Sequence, residues 1–228
     1  MEYKIKRLRR EKVFGGSALE FMQDLMELPD GKRETWDFVH HRRGGGACVV
    51  PVLDDGRILM IRQFRPVVGL EMLELPAGAR DSENEDSAVT ARRELREETG
   101  YDCSKLHFLT SIHTAVAYCD EKTDIYLARG LVRAGGQKLD EAEEISAEPH
   151  ALDELCSAIF RGEMTDAKTV AGIMAYAVFS DLRPDSGCPD SDCPGSDCPD
   201  SDCPGSDCPD SDCPDSDCPD SHGPDPLS

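Results

Sequence analysis

The 228-residue sequence has few basic side chains and no long apolar run. It holds 25 Lys and Arg against 46 Asp and Glu, for a formal net charge of −21. Nucleic-acid binders rely on Lys and Arg contacts with phosphates, so this balance argues against a nucleic-acid partner. No apolar run approaches the ~18 residues of a membrane span, and no apolar segment typical of a signal peptide follows the basic N-terminus. We therefore expect no membrane association and a cytoplasmic location.

The last 44 residues contain no Phe, Tyr, Trp, Lys, Arg or Glu. They repeat Asp-Ser-Asp-Cys-Pro and Gly-Ser-Asp-Cys-Pro units, and they carry 13 aspartates and seven of the 11 cysteines. So few apolar side chains cannot offset the entropy lost on ordering, which predicts a disordered tail over residues 183–228. One cysteine in every five residues does not give the paired spacing of a closed zinc site. A solvated tail is therefore the expectation, and soft-metal binding is the alternative.

The rest of the chain divides into two predicted parts. Residues 1–44 are expected to form an antiparallel β appendage, because candidate strands flank the turn signal Pro29-Asp30-Gly31-Lys32. Residues 45–182 alternate candidate strands with candidate helices, which predicts an α/β layered domain. The expected strands lie at about 47–53, 57–64, 70–75, 105–113 and 123–129, and the later helices at about 151–161 and 166–180.

An acidic helix is the feature most indicative of chemistry. Asp86 or Ser87 suits its N-cap, and Gly100 suits the position just after its last turn. On this helix Glu94, Glu97 and Glu98 stand at i, i+3 and i+4 and share one face. Such crowding is unfavourable without a cation, and carboxylates favour Mg²⁺, Mn²⁺ or Ca²⁺ over soft metals. Arg93, four residues before Glu97, can orient its carboxylate. From the helix alone, a solvated acidic face stays open as the alternative.

This helix and the loop before it resemble the Nudix box of the Nudix hydrolases. The box is a Gly, five residues, a Glu, seven residues and then R-E-U-x-E-E-x-G-U, where U is aliphatic or aromatic. Residues 93–101 match every fixed position, including Arg93 and Gly100, and Glu85 precedes Arg93 by the required seven residues. Six residues instead of five separate Gly78 from Glu85, and the extra residue falls in the loop before the helix.

Further segments resemble the ADP-ribose pyrophosphatase branch of the family. They are Ile61–Pro66, Glu74–Gly78 and the N-terminal appendage. The resemblance implies an α/β/α sandwich and a homodimer that exchanges the appendage, with Mg²⁺ as cofactor and Mn²⁺ as a possible substitute. It also implies hydrolysis of the diphosphate of ADP-ribose to AMP and ribose 5-phosphate. Another nucleoside diphosphate sugar, or a non-catalytic nucleotide sensor, is the alternative.

The resemblance also assigns the metal site and the catalytic base. It implies metal binding by Glu94, Glu98 and the backbone carbonyl of Ala77, with Glu97 close by as both a metal ligand and a catalytic candidate. The hydrolytic base of the family often lies in an acidic loop after the last sheet strands, which corresponds here to residues 140–144. In that loop we favour Glu143, with Glu141 next, and a solvated acidic loop is the alternative.

Three residues are implied to contact the substrate. Arg65 would lie near the phosphates, and Glu74, from the same site segments, is the second candidate. Trp36 resembles the aromatic residue that stacks on adenine from the partner subunit. A tryptophan in the core at the base of the N-terminal hairpin is an equally weighted alternative for Trp36.

Overall fold

The structure, a computed structural model, describes residues 4–139 and 144–182. These residues form three β-sheets and three helices. In chain order the elements are β1 (Lys6–Gly15), β2 (Leu19–Glu27), β3 (Arg33–His41), β4 (Gly45–Pro51), β5 (Ile58–Arg65), β6 (Leu70–Glu74), β7 (Ala77–Ala79), α1 (Ser87–Thr99), β8 (Tyr101–His113), β9 (Lys122–Arg133), β10 (Ile145–His150), α2 (Leu152–Phe160) and α3 (Ala167–Leu182).

The central sheet has the strand order β7-β4-β9-β8 and is covered on both faces. Because successive side chains of a strand point to opposite faces, β4 contributes to two cores. Ala47 and Val49 pack with the buried side of α1. Cys48 and Val50 pack with α2 and α3 on the other face. This is the α/β/α arrangement that the resemblance implied.

The second sheet has the strand order β10-β5-β6, and its strand β6 lies just before the box in the chain. Strand β6 ends at Glu74, and two residues later the chain enters β7, which pairs antiparallel with the start of β4. Neither β7 nor β10 was predicted. The Ala-Gly-Ala of β7 has low strand propensity, and β10 carries Pro149, so both depend on pairing with distant strands.

Both ends of α1 lie where the sequence predicts them. The Asp86 side chain caps the N-terminus by accepting a hydrogen bond from the Ala88 N–H at 2.9 Å. Gly100 ends the helix with a φ of 73°, a left-handed conformation that glycine adopts without strain. Between these ends, Ala91 and Leu95 are fully buried against the sheet and fix the rotation of the helix about its axis.

The N-terminal sheet, in the order β1-β2-β3, confirms the two strands expected around the Pro29–Lys32 turn. Every residue of β1 is exposed. The sheet contacts the rest of the domain through β3, where the Val39 N–H donates to the Tyr118 carbonyl at 2.7 Å. A loop between β8 and β9 therefore joins the appendage to the central sheet.

None of the helices in the described ranges is long and apolar enough to cross a membrane.

Candidate active site

Helix α1 brings two carboxylates to the short strand β7. Glu94 and Glu98, one turn apart, are 9% and 4% exposed. Glu98 Oε2 accepts a hydrogen bond from the Ala77 N–H at 2.9 Å. A Cβ atom at Gly78 would lie 2.1 Å from Glu94 Oε1, closer than any real contact. A side chain at position 78 would therefore displace the Glu94 carboxylate from its observed place.

Arg93 donates hydrogen bonds to two of the box carboxylates, Glu94 and Glu97. Its Nη1 donates to Glu94 Oε1 at 2.6 Å and to Glu97 Oε2 at 3.0 Å, and its Nη2 donates to the Ala79 carbonyl at 2.8 Å. Burial disfavours the charged form of Arg93, but Glu94 and Glu97 outweigh it and raise the pKa of the guanidinium. The contact expected between Arg93 and Glu97 is present. Glu97 itself keeps 39% of its side chain exposed.

The donors at this site suit a hard divalent cation. Glu94 and Glu98 both lie against the Ala77–Gly78 backbone, so carboxylate and carbonyl oxygens are the available ligands. In the described ranges no three acidic, histidine or cysteine side chains converge into a formed metal centre. Burial raises the pKa of the nearby Cys48 thiol to about 12, so it stays protonated and offers no thiolate. The residues fit Mg²⁺ or Mn²⁺ in chemistry, and Glu97 differs from the other two carboxylates in being much more exposed.

The Glu85 side chain forms hydrogen bonds that link the loop with the extra residue to helix α1. Its Oε2 accepts hydrogen bonds from the Asp81 N–H at 2.7 Å and from Thr90 Oγ1 at 2.9 Å. The Asp81 N–H is the largest cause of the lowered pKa of Glu85. Glu85 therefore holds the loop against the first turns of α1, which keeps the later part of the helix in place despite the longer loop.

A second charged cluster lies at the end of β6. Arg65 Nε and Nη2 donate to the two oxygens of Glu74 at 2.7 and 2.8 Å, and Glu74 is only 1% exposed. Lys168, in the first turn of α3, donates to Glu74 Oε2 at 2.5 Å. Burial alone would raise the pKa of Glu74, but Arg65 and Lys168 together lower it. Lys168 was not predicted from the sequence, where its local signal is Asp166, two residues earlier at the expected start of a helix.

Trp36 is 42% exposed, so it is not a core residue of the hairpin. It lines a cavity of about 450 Å³ between the N-terminal sheet and residues 113–120. Another wall of this cavity is built by Arg10, which stacks 4.3 Å from the centre of the Phe38 ring. Asp24 holds Arg10 with two hydrogen bonds of 2.8 Å. Trp36 therefore lies at an open surface that presents aromatic, basic and acidic side chains.

The two loop candidates for the base, Glu141 and Glu143, lie outside the described residues, and so does the predicted tail at 183–228.

The family model of the NUDIX domain matches residues 42–172. This chain belongs to the Nudix family. Among the curated relatives of this Nudix chain, the "Methanol dehydrogenase activator" of Bacillus methanolicus is 33% identical over 169 residues, which cover 74% of this chain and 90% of that protein. The "ADP-ribose pyrophosphatase" of Bacillus subtilis is 34% identical over 174 residues, which cover 76% and 90%.

A solved structure shows the same fold. The crystal structure of an ADP compounds hydrolase superposes with a TM-score of 0.69 at 21% identity, covering 79% of this chain and 96% of that one. The family, its ADP-ribose pyrophosphatase branch and the Nudix-type fold predicted from the sequence are confirmed. The chain is a Nudix hydrolase.

Proposed function

We propose that this Nudix hydrolase cleaves the diphosphate of ADP-ribose with water to give AMP and ribose 5-phosphate. One observation carries the proposal: the segment Glu74–Gly78 joins two complementary sites. Its first residue belongs to the cluster with Arg65 and Lys168, and its last two lie against Glu94 and Glu98. The negative charge of a diphosphate is neutralised by cationic side chains together with a divalent metal ion. The relative named an ADP-ribose pyrophosphatase supports the choice of nucleotide sugar.

Mg²⁺ is the proposed cofactor, with Mn²⁺ as a substitute. Glu94, Glu98, the Ala77 carbonyl and a reoriented Glu97 would hold it. When bound, the ion neutralises phosphoryl charge and makes the attacking water more acidic. The protein keeps the carboxylates in place through the Ala77 N–H and Arg93.

Phosphate binding and removal of the proton from water would be carried out by the protein's own side chains. Arg65 would bind the phosphates while Glu74 orients its guanidinium. A carboxylate must take the proton from the attacking water. In the orientation that Arg93 maintains, Glu97 is exposed enough to take this role in place of metal binding. Glu143 and then Glu141 are the proposed bases from the acidic loop. We also propose a cytoplasmic location and no nucleic-acid or membrane partner.

A homodimer through residues 1–44 is part of the proposal. A single three-stranded sheet of this size cannot bury a core by itself, and this one exposes Val13, Phe14, Leu19 and Phe21. A second copy of the chain would cover these side chains. Light scattering at micromolar concentration should give twice the chain mass of 25.0 kDa. A monomer with full activity would contradict both the dimer and the role of Trp36 across it.

Substitution of Trp36 should weaken nucleotide binding. Stacking of a base on an aromatic ring is worth about 1–3 kcal/mol, so we expect Trp36→Ala to raise KM for ADP-ribose about tenfold and to change kcat less than threefold. Trp36→Phe, which keeps an aromatic face, is the matched control and should stay within threefold of wild type in both constants. An unchanged KM in Trp36→Ala would remove Trp36 from the substrate site.

A substrate panel tests the proposed specificity. Purified chain is incubated with nucleoside diphosphate sugars, dinucleotides and nucleoside triphosphates, each with Mg²⁺, Mn²⁺ or EDTA. ADP-ribose should show the highest kcat/KM, and EDTA should abolish turnover. Preference for another nucleoside diphosphate sugar would indicate a pyrophosphatase with that substrate instead of ADP-ribose. Tight nucleotide binding without any turnover would favour the sensor.

A further inference from the structure

Lys168 and Arg65 share one carboxylate oxygen. Lys168 Nζ lies 2.5 Å from Glu74 Oε2, and Arg65 Nη2 lies 2.8 Å from the same atom. Lys168 also donates to Asp166 Oδ2 at 2.8 Å, and only 16% of its side chain is exposed. Two cations therefore divide the charge of one buried carboxylate.

The position of Lys168 is fixed by the first turn of α3. Asp166 Oδ2 accepts hydrogen bonds from the Thr169 N–H at 3.0 Å and from Thr169 Oγ1 at 2.6 Å, which caps the helix. The fully buried Thr169 Oγ1 in turn accepts the Leu75 N–H at 3.0 Å. Lys168 is thus anchored to the segment that leads to Ala77, unlike a mobile surface lysine.

The charges of the cluster explain why a second cation matters. Arg65, Lys168, Glu74 and Asp166 sum to zero formal charge, and removal of Lys168 would leave a net charge of −1. An uncompensated negative charge acts strongly in a buried environment and would oppose an anionic substrate. Without Lys168, Arg65 alone would neutralise the Glu74 carboxylate. The guanidinium of Arg65 would then be drawn more tightly onto Glu74.

We propose that Lys168 is a positioning residue of the diphosphate site. By sharing Glu74 with Arg65, it keeps the guanidinium oriented and its charge available to the phosphates. Arg65 uses Nε and Nη2 for Glu74, and its Nη1 makes no hydrogen bond within the described ranges. The inference rests on the proposed function because it assumes that Arg65 faces a diphosphate.

Kinetics and binding of Lys168 variants test this role. We expect Lys168→Met to raise KM for ADP-ribose about tenfold while kcat stays within threefold of wild type. The Kd of inorganic pyrophosphate, measured by calorimetry with Mg²⁺, should rise by a similar factor. Lys168→Arg, which keeps the charge, should restore both values to within threefold. If Lys168→Met does not fold, Lys168→Gln, whose amide can still donate to Glu74, replaces it with the same expectation.

Lys105→Met is the matched control, because Lys105 is exposed on β8 and has no ion pair in the described part of the chain. It should leave KM and Kd within twofold of wild type. A folded Lys168 variant with a lowered melting temperature but unchanged KM and pyrophosphate Kd would show a merely structural role and overturn the inference. An equal effect in Lys105→Met would overturn it as well. If wild type does not hydrolyse ADP-ribose, the proposed function fails, and pyrophosphate binding still decides the role of Lys168.

Discussion

Glu98→Gln is expected to lower kcat at least about a hundredfold while the protein stays folded. The glutamine has the same shape, and its remaining oxygen can still accept the Ala77 N–H that Glu98 accepts now. The substitution removes one negative charge from the proposed Mg²⁺ site, and losses of ~10² or more are typical of groups that stabilise the developing charge. The measurement is kcat at saturating Mg²⁺, with thermal melting to verify the fold.

Glu83→Gln provides the control for a lost negative charge. Glu83 is exposed in the loop before α1, so its substitution should leave kcat within twofold of wild type. Turnover of Glu98→Gln close to wild type at saturating Mg²⁺ would exclude Glu98 from the metal site.

Gly78→Ala should reduce kcat/KM at least tenfold and lower the melting temperature. The new methyl group would lie 2.1 Å from Glu94 Oε1, so either the carboxylate or the β7 backbone must move. Either movement changes the placement of Glu94 relative to Ala77, the two proposed ligands beside Gly78. A misplacement of about 1 Å in a catalytic group can cost ~10² in rate.

Gly136→Ala is the control for a glycine substitution. A Cβ atom there meets nothing within 4 Å, and its φ lies outside the region that favours glycine. Its activity and melting temperature should match wild type. Full activity in Gly78→Ala would mean that the observed position of Glu94 is not required for turnover.

Local signals made α1 predictable. Asp86 and Gly100 act within one helical turn of the helix ends, so the sequence alone locates them. Strand β7 was unpredictable for the opposite reason: Ala77–Ala79 is extended because it pairs with residues 46–48, some thirty positions earlier. Pairing between distant segments leaves no periodic pattern in three small residues.

The same distinction holds within the site. Helical spacing puts Glu94, Glu97 and Glu98 on one face and Arg93 within reach of Glu97. It could not show that Glu94 and Glu98 are buried against β7 while Glu97 stays exposed. The role of Lys168 could not be predicted because its carboxylate partner, Glu74, is 94 residues away in the chain. Only the packing of α3 against the end of β6 brings the two together.

Product formation from ADP-ribose is the most direct test of the central claim. The 228-residue chain is incubated with ADP-ribose and either Mg²⁺ or EDTA, and the products are separated by chromatography. The account predicts equal amounts of AMP and ribose 5-phosphate with Mg²⁺ and neither product in EDTA. No turnover with Mg²⁺ or Mn²⁺, or equal turnover in EDTA, would contradict it.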